Sequence, residues 1–260
     1  MKLPVGIVYE GQTYRDVEIA PLTGRTLKII RNAVSNEGID ANMYIEVLKH
    51  GIKSIDGLQG AIPVSLIRKM YWPDAEYIFM QLAKQETAGE NPVVMRECPS
   101  CGRRVKIPFD FDQVEVVFLD DPDCESGFNN PDRLIPFTLS TPIDTLDPER
   151  TPYNTGKLGI LTVEDWIRIF PRSKAKLGTV SLESITAAIY ELGPAGKEQE
   201  RKISVVDVEN LASRDIKMLE RLYNENEPGP RPTTGICPEC GAEISLLVDW
   251  VQDFLAFTPV

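Results

Sequence analysis

A five-residue segment of this chain occurs twice, and its chemistry restricts the folds open to the chain. Cys98-Pro99-Ser100-Cys101-Gly102 returns as Cys237-Pro238-Glu239-Cys240-Gly241. The agreement continues at a constant spacing: Asp110-Phe111 matches Asp249-Trp250, and Phe118 matches Phe257. Two cysteines separated by two residues form a knuckle whose sulfurs face one cation. The proline after the first and the glycine after the second suit the tight turn that brings backbone amides to the thiolates. Zn²⁺ closes its shell with four ligands, and one knuckle supplies two. The single histidine, His50, lies far from both knuckles in sequence. Pairing the knuckles completes the shell. Cys98, Cys101, Cys237 and Cys240 are therefore the expected ligands of one structural zinc per chain, clamping two related halves together.

Four cysteines also admit a redox pair, two disulfides or inert thiols. A thioredoxin-type CxxC opens a helix after a strand. Here Val105, Ile107 and Phe109 alternate after the first knuckle, and Ile244, Leu246 and Val248 after the second. That is strand periodicity, and it favours the metal. Cys124 lies in a polar acidic loop and reads as a bystander.

At 260 residues the chain can bury a substantial core, in one large domain or two smaller ones. No apolar run approaches the length of a membrane span, and Met1–Gly6 lacks the apolar core of a signal peptide. Thiolate ligands without an export signal point to assembly in a reducing cytosol. The net charge of −11 disfavours phosphate binding, for which a zinc ribbon needs a basic face. The basic clusters Arg103–Lys106 and Arg172–Lys176 are short and read as solvated surface.

The duplication reaches beyond the knuckles. Leu22-Thr23 and Leu161-Thr162 keep the same spacing as the knuckles, and each opens a stretch of helical periodicity: Leu27, Ile30 and Val34, then Trp166, Ile169 and Phe170. Nearer the knuckles, helices are expected over 75–85 and 216–224, with Asp74 and Asp215 in matching places. Pro73 suits a first helical position and Ser213 an N-cap. The stripes Tyr77, Ile78, Met80 and Leu82, and Met218, Leu219 and Leu222, read as core-facing. The linkers 87–92 and 227–232, rich in proline and glycine, return the chain to each knuckle. The segment Asp120–Gly156 reads mostly as an acidic loop or linker, with a strand over Leu134–Leu139, and Pro194–Arg201 as a surface insertion. These readings make an α+β protein of two related halves, 1–119 and 157–260, joined by linker 120–156 and by the shared zinc.

The order of parts resembles the T-even-type phage baseplate hub and hub-assembly family. The resemblance lies in Leu161-Thr162, the Leu211–Asp215 helix start, the Pro228-Gly229 turn, Cys237–Gly241 and the closing Asp253-Phe254. Asp74, Cys98–Gly102 and Asp110-Phe111 look like a diverged first copy. The resemblance implies a non-enzymatic structural or assembly role in the baseplate of a contractile tail. It implies hub, spike or wedge proteins as partners, assembly in the host cytoplasm, and a final place in the virion tail.

The alternative function is a zinc-ribbon adaptor that binds protein or nucleic acid. An enzyme is the least supported reading. A catalytic zinc keeps a position open for water, and four cysteines close the shell. His50, beside Gly51, reads as a helix-end residue rather than a general base. The glycines make no phosphate-binding fingerprint. Asp110 and Asp249, each before an aromatic, read as a shared structural turn that accepts backbone amides.

Overall fold

The computed structural model describes residues 1–35, 38–39, 42–58, 62–88, 90, 92–143, 153–169, 182–192 and 205–256. Phe170, Phe257, the Arg172–Lys176 cluster and the Pro194–Arg201 insertion lie outside them. The fold is mixed α+β. In chain order the elements begin with β1 (Lys2–Tyr9), β2 (Gln12–Ile19), α1 (Gly24–Ala33), β3 (Val34–Ser35), β4 (Gly38–Ile39), α2 (Asn42–Gly51) and β5 (Ile52–Ile55). They continue with α3 (Val64–Lys69), α4 (Trp72–Glu86), β6 (Val93–Glu97), β7 (Arg104–Pro108) and β8 (Val116–Val117). Next come β9 (Leu134–Ile143), β10 (Tyr153–Gly159), α5 (Val163–Ile169), α6 (Leu182–Ala188), β11 (Ile189–Leu192), α7 (Val205–Glu209) and α8 (Ser213–Asn226). The last are β12 (Gly229–Pro230), β13 (Thr233–Ile236), β14 (Glu243–Leu246) and a π-type helical turn, Val251–Ala256. No helix among the described residues is long and apolar enough to cross a membrane.

The chain divides into two compact units. One is Met1–Phe118 with Gly229–Val260, and the other is Leu119–Pro228. In the first, β1, β2 and β5 form an antiparallel sheet in that order. Its core includes Leu3, Val5, Ile7, Ile30, Val47, Leu48 and, from α3 and α4, Leu66, Ile67, Ile78 and Leu82, all buried. Tyr44, Trp72 and Phe79 pack their rings within 6.0 Å of one another, largely edge-on or tilted, as aromatic quadrupoles prefer.

Apart from the β3–β4 pair, the described elements of the second unit follow the order of β1 to α4 around a sheet β9-β10-β11, and the registers of the two sheets coincide. Val17, Glu18 and Ile19 of β2 stand opposite Ile55, Ser54 and Ile52, so Lys53 is skipped. Gly156, Lys157 and Leu158 of β10, at the repeat spacing, stand opposite Leu192, Glu191 and Ile189, so Tyr190 is skipped. Thr23 and Thr162 start α1 and α5 alike, each hydroxyl accepting the amide three residues on at 3.2 Å. These bonds satisfy helix-start donors that would otherwise lack partners. Within 120–156, β9 extends beyond the expected Leu134–Leu139, and β10 follows. The loop before them is tied down by Phe128, fully buried with its ring 5.9 Å from that of Tyr223.

Both first strands carry a wide bulge, and each is served by one buried aspartate. Lys2–Ile7 stands against only Tyr14–Asp16, and Thr138–Ile143 against only Tyr153–Thr155. Consecutive amides in a regular strand point to opposite sides. In a bulge they can point together, and Gly6 adopts φ +90° to allow it. Asp74 then accepts Val5 N at 2.7 Å and Gly6 N at 2.9 Å. Asp215 accepts Ser140 N at 2.9 Å, Thr141 N at 3.1 Å and the Ser140 hydroxyl at 2.8 Å. Both aspartates occupy the third position of their helices.

The two helices that carry these latches start at corrected positions. Tyr71 and Ala212 hold the N-cap positions, with no side-chain cap on either. Pro73 is therefore the second helical residue, and Ser213 is the first rather than the cap. Neither helix start has a local side-chain cap, and each first turn carries the aspartate that bonds the strand. The α8 stripe also shifts: Leu219 and Tyr223 are buried, while Met218 and Leu222 are half-buried.

Burial alone would raise the Asp215 pKa. The Ser140 amide and hydroxyl, the Thr141 amide and nearby Arg214 outweigh it and hold this carboxyl below its ordinary value. A depressed folded-state pKa gives stability that is complete above the unfolded value, about 3.9, and lost as pH falls through the folded value. We predict that Asp215→Asn destabilises the 134–143 strand by about 1–2 kcal/mol at pH 7. The difference from the parent should shrink as pH falls below the ordinary carboxylate range and through the depressed folded-state value. Hydrogen exchange of the Ser140 and Thr141 amides across pH tests this; a difference unchanged at low pH would contradict it.

Candidate metal centre

Two hairpins of the first unit build the centre, and their strand registers match. In β6–β7, Glu97 pairs with Arg104, Arg96 with Val105 and Val94 with Ile107. In β13–β14, at the same spacing as the knuckles, Ile236 pairs with Glu243, Gly235 with Ile244 and Thr233 with Leu246. The expected strands after the knuckles are present, and each has a partner strand before its knuckle. The alternation buries Val94, Val105 and Ile107 from one ribbon, and Ile244 and Leu246 from the other.

Each knuckle is the turn closing its hairpin, and the two turns bond alike. Cys98 N donates to Arg103 O at 2.9 Å, and Gly102 N to Cys98 O at 2.8 Å. Cys237 N donates to Ala242 O at 2.8 Å, and Gly241 N to Cys237 O at 2.9 Å. Gly102 and Gly241 close these turns at φ +68° and +73°, a left-handed conformation that side-chain-bearing residues adopt only under strain.

The four knuckle sulfurs converge, all lying within 4.8 Å of one another. Cys98 Sγ is 3.6 Å from Cys240 Sγ, and Cys101 Sγ is 3.9 Å from Cys237 Sγ. Zinc–sulfur bonds of about 2.3 Å in a tetrahedron put the sulfurs about 3.8 Å apart, so the donor set and its spacing fit a closed tetrathiolate shell. Among the described residues this is the one group of possible ligands that converges in this way. Cys124 is not part of it.

Charge explains why such a cluster calls for a cation. Amide bonds from Cys101, and less from Ser100, outweigh desolvation and hold the Cys98 thiol down at about 7. At Cys240 the Ala242 amide acts the same way, but burial and the neighbouring sulfurs of Cys237, Cys98 and Cys101 outweigh it and push the thiol up to about 11. One thiolate forms readily and the next is resisted. A divalent cation at the centre removes that resistance.

Polar contacts hold the second ribbon's tail against the rest of the first unit. Arg96, two residues before the first knuckle, reaches both carboxylate oxygens of Asp253 at 2.7 and 3.2 Å and Leu247 O at 2.5 Å. Tyr44 donates its hydroxyl to Asp249 Oδ2 at 2.8 Å in a buried setting. Asp249 Oδ1 accepts Val251 N, as Asp110 Oδ1 accepts Asp112 N, so the matched aspartates do make the same turn. Their following aromatics, Phe111 and Trp250, share one cluster with Phe109 and Phe254. Arg103 of the first knuckle pairs with Glu239 of the second, which engages one charge of the basic Arg103–Lys106 run.

The sequence did not mark Arg96 and Tyr44 as contributors, nor Asp253 as the partner of Arg96, because the residues at the knuckle spacing from them are Gly235, Glu183 and Val114. His50 lies in the last turn of α2 with Nε2 3.4 Å from Glu46, a helix-end setting as expected. We predict that Tyr44→Phe costs about 1–2 kcal/mol, since it leaves a buried carboxylate oxygen short of a donor. Urea unfolding read from the buried Trp72 and Trp250 measures it; no change in midpoint would contradict it.

No curated protein and no solved structure matches this chain. Residues 12–256 match the family described as T4 bacteriophage base plate protein, and that agreement over nearly the whole length makes this chain a member of that family.

Proposed function

We propose that this chain is a structural or assembly component of the hub region of a contractile-tail baseplate, locked by one structural zinc. The convergence of the four sulfurs from two matched knuckles carries the zinc reading. Cys98, Cys101, Cys237 and Cys240 would hold the ion, whose chemistry there is to neutralise four thiolates and cross-link segments far apart in sequence. A four-sulfur shell leaves no position for water, which argues for structure over catalysis. Family membership supports other baseplate proteins as partners, with hub, spike or wedge subunits as the candidates.

We further infer that the chain is two related copies of one module. The shared element order, the paired bulges, the matched latches of Asp74 and Asp215 and the identical hairpin registers support that reading. The copies are the halves around 1–119 and 157–260, and the register match carries the second one back into β9. Assembly would take place in the host cytoplasm, where thiolates stay reduced. An affinity-tagged chain recovered from phage-producing cells should bring down tail proteins. Recovery of nucleic acid in their place would favour the zinc-ribbon adaptor.

A further inference from the structure

Exposure alternates around the sulfur cluster. Cys98 and Cys237 are buried, while Cys101 and Cys240 are exposed. Each exposed sulfur faces a buried one from the other knuckle: Cys240 against Cys98 at 3.6 Å, and Cys101 against Cys237 at 3.9 Å. Cys101 and Cys240 are the more accessible residues of the four, and in each case a sulfur of the opposite hairpin lies within 3.9 Å of theirs. Within each knuckle, the turn bonds of Gly102 and Gly241 hold both cysteines in a loop whose sulfurs face the common centre.

We propose that the site is a redox-convertible clamp: a hydroperoxide replaces the metal with two disulfides, Cys98–Cys240 and Cys101–Cys237, that join the same two hairpins. The proposal rests on the metal reading above. In the first step the Cys240 thiolate attacks a peroxide oxygen. An S–O bond forms, the O–O bond breaks, hydroxide leaves, and sulfur is oxidised by two electrons to the sulfenic acid. The Cys98 thiolate then attacks that sulfur. The S–S bond forms, the S–O bond breaks and a second hydroxide leaves. Two thiolates and one hydrogen peroxide thus give one disulfide and two hydroxides, which the acid form of the buffer neutralises to water. Cys101 and Cys237 consume a second peroxide in the same way, and Zn²⁺ leaves as its ligands are used.

The consequence is a joint that does not come apart in either environment. Reducing conditions favour the metal form, and oxidising ones, such as the medium outside a lysed cell, favour a covalent link between segments far apart in sequence. Pairing within a knuckle would have the opposite effect, releasing the metal and uncoupling the hairpins.

The test uses the full-length chain loaded with zinc. Hydrogen peroxide is titrated while released zinc is read with a chromogenic chelator. The product is then digested without reduction and mapped by mass spectrometry. The expected result is about two peroxides consumed per zinc released, with the peptide containing Cys98 and Cys101 cross-linked to the one containing Cys237 and Cys240. Fragmentation should place Cys98 with Cys240. Disulfides confined within each knuckle, or sulfinic acids with no cross-link, would overturn the proposal. A chain that holds no zinc at the outset would overturn the metal reading itself. In that case, mapping the oxidised metal-free chain still decides the pairing, with Cys124→Ser excluding exchange with the fifth cysteine.

Discussion

Cys98→Ser and Cys237→Ser are each expected to empty the metal centre and to unfold the unit formed by residues 1–118 and 229–256, to the same extent. The two serines would lie in different halves of the chain, yet both open one shell. Structural zinc binding is worth about 10–16 kcal/mol in small peptides at neutral pH. A whole domain is stable by about 5–15 kcal/mol, so losing the ion removes an amount comparable to the total. A three-thiolate remnant binds metal more weakly and leaves the two hairpins held by their polar contacts and by the aromatic cluster that follows them. The signal would come from Trp72 and Trp250, both buried in this unit. A strong chelator on the parent chain should reproduce the effect, and Cys124→Ser should not. If one knuckle variant kept its fold while the other lost it, the knuckles would not share an ion.

Asp74→Ala is the second large effect. The Asp74 side chain is fully buried and accepts two consecutive amides from the bulge of β1. Alanine leaves both amides buried without that acceptor, at about 1–3 kcal/mol each. It also removes a negative charge from the first turn of α4, worth about 0.5 kcal/mol. The expected loss is about 3–5 kcal/mol. Asp74→Asn should cost less, because the amide oxygen keeps one of the two bonds. The Asp215 latch is worth less than this, since Ser140 and Thr141 sit at exposed positions where water can replace the carboxylate. Chemical denaturation of the three variants should therefore rank Asp74→Ala as most damaging and Asp215→Asn as least. A neutral Asp74→Ala would show that the bulge amides find other partners.

The knuckles, the matched Asp-aromatic turns and the helix-opening threonines were legible because each rests on residue types that few alternatives can replace. The sheets were harder to see. Strands β9 and β11 follow β1 and β5 at a slightly shorter spacing than the knuckles keep, since loops between elements differ in length, and the shared bulges are a property of the backbone. Asp74 and Asp215 stood out as a matched pair, but their role did not. Their partners are strand amides, which carry no side-chain signature and come from distant parts of the sequence. The N-cap expectation for Ser213 falls one residue late, since Ala212 holds that position. The alternation from Leu134 marks β9 as far as Leu139, while the turn-forming residues of 120–156 hid its extension to Ile143 and the start of β10.

Zinc per chain on purified protein decides whether one ion joins the two knuckles. Elemental analysis would be referenced to the native mass. The expected result is one zinc per chain, lost entirely in either Cys98→Ser or Cys237→Ser. No metal, one zinc per two chains, or a full complement retained after either substitution would contradict it.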